Sequence, residues 1–169
     1  MLEEPSPRVT ARAPSSSNSS SAPPGHASAK RTPTNSSHYD FNGVPYDKYK
    51  PNSATWMYAR DARAQQAGLP PNQTAERYPS PFGNGEQLPL TTPGSILKPG
   101  DRKAKWLHHP LTPGTSTTWS QRQGRPGAVR SVYTAGNPNE FDVMVHDIQA
   151  GTSARGQGNF AIATYRPAV

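Results

Sequence analysis

Proline constrains this chain more than any other residue type: 20 of its 169 positions are Pro. Each one locks φ and removes a backbone donor, so it interrupts helices and is confined to the edges and ends of strands. Another 14 positions are Gly and only 31% are hydrophobic, so much of the chain cannot contribute to a packed core. The length suits one domain with a small core.

The poorest stretch is the first. Residues 1–37 are mostly Ser, Pro, Ala and Thr with scattered Arg or Lys, a composition that buries too little apolar surface to offset the entropy of ordering. They are expected to form a disordered tail, leaving 38–169 as the folded domain. The formal charge of +7 favours an anionic partner, because a Lys or Arg brought to a phosphate releases condensed counterions. With no Cys there is no disulfide, thiolate metal site or Cys nucleophile. No apolar run is long enough to span a bilayer, and no metal constellation, P-loop or dinucleotide fingerprint occurs, so neither a membrane nor a cofactor is expected. The opening Met1-Leu2-Glu3-Glu4 lacks a secretory apolar stretch, which suits an intracellular chain or one written without its leader.

One helix is expected at 53–67, where Ser53 and Gly68 supply caps and no Pro or Gly intervenes. Its apolar face is untidy, so the expectation rests on capping and Ala/Gln/Arg propensity. Short segments between Pro/Gly turns follow, at 105–111, 129–134, 141–147 and 159–165, and these read as strands of an antiparallel sheet. Alternation puts Phe141, Val143 and Val145 on one face and Asp142, Met144 and His146 on the other. If the helix covers the first face, His146 stands on the open one. The same parity can bring Arg130 and His108 beside it on one concave surface.

The chemistry concentrates at three places. Tyr78-Pro79-Ser80-Pro81-Phe82-Gly83-Asn84-Gly85-Glu86 pairs a Gly/Asn turn with a carboxylate, offering free N–H groups and an acceptor to the edge of an unpaired base. Arg130, in Pro126-Gly127-Ala128-Val129-Arg130, supplies a fixed positive charge, and His146, in Phe141–Asp147, a titratable group, as phosphodiester cleavage requires. Plainer roles compete: His146 as a strand-end cap, Arg130 as an ion-pair partner, Glu86 as a turn residue and His108-His109 as a polar strand edge. Lys98, Arg102, Lys103 and Lys105 form a basic loop, a solvated face or an extension of an RNA footprint.

These motifs, in this order, resemble the fungal guanyl-specific ribonuclease family across roughly residues 39–166. The Tyr-Pro-x-x-Phe-x-Asn-x-Glu stretch, Pro110, the Pro-Gly-Ala-x-Arg turn, His146 and Gly158-Asn159-Phe160 carry the resemblance. It implies an α+β microbial ribonuclease fold, a single α-helix packed on a curved antiparallel β-sheet. It also implies a metal-independent, monomeric endoribonuclease that cleaves single-stranded RNA 3′ to guanine through a 2′,3′-cyclic phosphate, and a secreted protein. In that reading Glu86 accepts from guanine, Phe82 stacks under the base, Asn84 forms the turn, Tyr78 and Arg130 hold the phosphate, Phe160 lies beside it, and His146 is the general acid.

Five positions depart from the family. Gly85 replaces an aromatic lid, at a cost on the order of 1–3 kcal/mol of base affinity. Ser80 replaces a His, and His108 stands where the family has its Glu general base. A neutral imidazole is a competent base near pH 7, so His108 with a protonated His146 makes a two-histidine couple. The family's main disulfide aligns with Phe41 and Ala163, both replaced by packing residues, at a stability cost of roughly 2–5 kcal/mol. Two functions follow: the endoribonuclease, or a catalytically degenerate, effector-like protein of the same fold that binds RNA or a protein partner without cutting.

Overall fold

The computed structural model describes residues 35–42, 54–152 and 158–169, which form an α+β arrangement of two antiparallel sheets and, among these residues, one α-helix. Residues 1–34 of the expected tail lie outside the described residues. The first sheet joins β2 (Trp56–Tyr58), β1 (His38–Asp40) and β8 (Thr164–Arg166) in that order. The second has the order β3-β4-β5-β6-β7, from Ser80–Phe82, Trp106–Pro110, Val129–Tyr133, Phe141–Thr152 and Gly158–Ile162.

The helix, α1, covers Ala59–Ala67 and not the expected span from 53, of which residue 53 itself lies outside the described residues. Trp56, Met57 and Tyr58, expected within its first two turns, instead pair with Asp40, Tyr39 and His38. Bulky aromatic side chains suit a pleated strand better than a helix, and β1 offers them a partner that local propensity does not reveal. The segment at 159–165 is likewise two strands, since the chain leaves the larger sheet at Ala163 and joins β1.

Parity in the larger sheet is as the alternation requires. Val143 and Val145 pack with Val129, Leu111, Met57 and Ala62 beneath α1, with Phe141 against the same cluster. Leu107 and Tyr133 meet Leu69 beside them. Met144 and Val132 lie on the other face with Phe82. That face is not open, however. Leu88, Leu90 and Trp106 pack against it, so the loop after β3 roofs part of it and His146 is buried.

Gln65 ties α1 to the loop after β4. Its amide donates to the carbonyls of Thr112 and Thr115, and its oxygen accepts from the Thr112 N–H at 2.9 Å. Gly68 lets this loop approach: a Cβ there would lie 2.6 Å from the Thr118 hydroxyl.

Candidate functional site

Strand register assembles the site. Ser80 is the cross-strand partner of His108 on β3 and β4, Pro110 faces Arg130 on β4 and β5, Arg130 faces Met144 on β5 and β6, and His146 faces Phe160 on β6 and β7. Because side chains on one face recur every second residue, His108, Arg130 and His146 project to the face that α1 leaves uncovered.

Aromatic rings hold these groups. The His146 ring lies 4.1 Å from that of Phe160 at a 37° tilt. Phe82 meets Phe160 edge-on at 5.7 Å, and His108 sits 5.7 Å from Phe82, 6.1 Å from Phe160 and 5.5 Å from Tyr78. The Arg130 guanidinium carbon is 5.6 Å from the centroid of Tyr78, whose peptide bond to Pro79 is cis, and that of Arg77 is 5.4 Å from the same ring. The structure therefore brings Tyr78, Phe82, His108, Arg130, His146 and Phe160 together.

Arg130 is the dominant charge. It is 1% exposed, its Nη1 donates to the carbonyls of Gly127 and Val129, and its Nε is buried without a partner. Among the described residues the carboxylate ion pairs are Lys105 with Asp101 and Arg166 with Asp40, and neither reaches Arg130. Burial pulls its pKa below the ordinary value, while Tyr78 beside it opposes the shift, in part through a side-chain hydrogen bond. A buried guanidinium is ordinarily paired with an anion. Here the nearest polar neighbours are neutral or cationic.

His108 feels that charge. Burial first, then Arg130, His146 and His109, push its pKa down to about 3. It is neutral throughout the physiological range, and its Nδ1 is buried without a hydrogen bond. The expected two-histidine couple thus has one partner that is a much weaker base than free imidazole.

The loop after β3 brings the remaining residues. Asn84 holds φ at 53°, a left-handed conformation that Asn tolerates better than most residues. Its side chain closes the turn, donating to the Leu88 carbonyl at 3.0 Å and accepting from the Leu88 N–H at 2.7 Å. Glu86 is not a free acceptor: its carboxylate receives the Phe160 N–H at 2.9 Å, fastening the loop to β7. One oxygen is committed to that bond. Gly85 is exposed, with nothing near the position of a Cβ. Sequence reasoning missed Arg77 and Trp119, which lie against Tyr78 together with His109 of β4, a residue read there only as a polar strand edge. An isolated Trp in an otherwise Thr/Ser-rich loop was the available signal.

Among the described residues there is no cluster of three or more His, Asp or Glu placed to hold a metal ion, and no helix is long and apolar enough to cross a membrane. No family model, curated protein or solved structure matches the chain.

Proposed function

We propose that this protein is a ribonuclease-like, single-stranded RNA-binding domain that holds a phosphate and an adjacent guanine but cleaves poorly. The observation that carries the reading is Arg130, a buried guanidinium with no carboxylate partner among the described residues, beside Tyr78 and His108. An RNA phosphate supplies the missing anion, and the surrounding rings exclude the water that would weaken the attraction. Phe160, with the buried Phe82 packed edge-on against it, and the clasped turn at Asn84 provide a stacking surface and backbone donors for the base on its 3′-phosphate.

Weak cleavage follows from the base. Attack by a 2′-hydroxyl needs a group that accepts its proton, and a histidine held near 3 accepts protons poorly at neutral pH. A bound phosphate would offset the repulsion from Arg130 and His146, yet burial, the larger cause, would persist or deepen. The direct pairing of Ser80 with His108 puts the two departures from the guanyl-specific ribonuclease pattern side by side, so one compact change removes both groups at the proton-accepting corner.

The test is a single-guanine RNA incubated with the full chain in EDTA, with binding and cyclic-phosphate ends measured together. Binding without appreciable cleavage is expected, and Ser80→His with His108→Glu should then produce cleavage. Rapid cleavage by the parent, lost in that double variant, would establish the two-histidine enzyme instead.

A further inference from the structure

Behind Tyr78 lies a second cleft that the phosphate site does not use. It encloses about 600 Å³ and is lined by Tyr78, His109, Trp119 and Ser120, with Glu76, Gln121 and Arg122 also around it. This volume is within the range of small-molecule and nucleotide sites. Its three rings form a box. Tyr78 and Trp119 stand 5.6 Å apart at 90°, His109 and Trp119 are 6.0 Å apart at 73°, and Tyr78 and His109 are 6.0 Å apart at 68°.

We propose that this cleft is a second nucleobase subsite, taking the base of a nucleotide that flanks the phosphate held at Arg130; the proposal rests on the RNA-binding reading above. Four observations carry it. Tyr78 is shared, with the Arg130 guanidinium 5.6 Å from its ring and the cleft bounded by the same residue, so a strand crossing Arg130 arrives at the cleft within one nucleotide. Trp119 is 7% exposed and its indole Nε1–H is buried without an acceptor, a donor suited to a ring nitrogen or carbonyl of a base. The lining has one cation and one anion, Arg122 and Glu76, a balance that suits an uncharged heterocycle with donors and acceptors better than a second phosphate. The loop that carries Trp119 is pinned to α1 through Gln65 and Thr118, so the box is preformed.

The test compares guanosine 3′-monophosphate with trinucleotides that carry guanosine in the middle and an abasic site at one end or the other. The wild-type chain should bind the full trinucleotide about tenfold more tightly than the version abasic on one particular side, the worth of roughly one stacked base. Titration with the full trinucleotide should move the Trp119 indole N–H resonance, while the monophosphate should leave it in place. Trp119→Ala should erase the tenfold difference. Because that ring is buried, Ser120→Trp, an exposed change that fills the cleft, provides the second variant and should do the same. Equal affinities for all trinucleotides, an unmoved indole signal, or free adenosine and uridine binding the cleft as tightly as the trinucleotide would each overturn the subsite. If the monophosphate fails to bind while the trinucleotide binds with Trp119 dependence, the guanine reading fails and the subsite stands.

Discussion

At Arg130 and His108, charge and burial oppose each other within one strand repeat. For His108 the sign is definite: its folded pKa, about 3, lies below the ordinary 6.5, so the unfolded chain takes up a proton that the folded chain refuses. Its stabilising contribution is complete above about pH 6.5 and is lost as pH falls towards 3, with a slope of up to roughly 1.4 kcal/mol per pH unit. Urea midpoints measured between pH 7 and 4.5 should therefore fall, and His108→Phe, which suits the surrounding Phe82, Phe160 and Tyr78 rings, should flatten the fall. His109, whose pKa burial also lowers, leaves a residual slope. For Arg130 the expectation runs the other way. Arg130→Met removes a desolvated cation, so stability should change by no more than about 1–2 kcal/mol and in some conditions rise. RNA affinity should nevertheless drop sharply, and the slope of log affinity against log salt should become shallower by about one phosphate. A variant that loses stability without losing RNA affinity would assign Arg130 a purely structural role.

At the scale of elements, the loop after β3 is held by a bond that the sequence does not advertise. Glu86 reads as a base acceptor because a carboxylate closes a Gly/Asn turn, but one of its two oxygens receives the Phe160 N–H from a strand 74 positions away. Glu86→Ala should then do two things: remove the preference for guanine over adenine nucleotides, and speed hydrogen exchange at the Phe160 amide, with a stability loss of about 1–2 kcal/mol. An unchanged Phe160 exchange rate would refute the anchoring role. The same contrast between local and distant causes separates what was legible here from what was not. The strands at Val129–Tyr133 and Phe141–Asp147 and their facing were readable because alternation is a local signal. β3 was not, because Ser80-Pro81-Phe82 contains a proline that only an edge strand accommodates, and edge position is a property of the finished sheet. β1 and β2, three residues each, exist only because β1 is paired on both sides. The grouping of His108, Arg130 and His146 was legible from parity. The burial of Arg130 and His146 was not, since the roof over that face comes in part from a loop whose path no periodicity describes.

Across the whole molecule, the absence of Cys leaves the two sheets joined by packing and by the chain crossing at Ala163. The register of β1 with β8 ends with Asp40 paired to Thr164; Phe41 and Ala163, the residues that follow on each side, are both buried in the cluster beneath α1. Facing residues of an antiparallel ladder have Cα atoms about 4.5–5.5 Å apart, within the span of a disulfide, and these two residues stand one step beyond the last such pair. Phe41 thus fills with an aromatic ring the place next to Ala163 where the family resemblance would put a covalent bridge. The double variant Phe41→Cys with Ala163→Cys should separate the two solutions. When reduced it should be less stable than the parent by about 3 kcal/mol, because the ring's packing is lost. When oxidised it should regain roughly 2–5 kcal/mol by closing a loop of more than a hundred residues, ending near the parent. Urea midpoints with and without reductant measure this directly, and RNA affinity should be the same in the parent and the oxidised variant, since neither residue lies at the Arg130 face. Failure of the two thiols to join under mild oxidation would mean that β1 and β8 do not hold this register in solution.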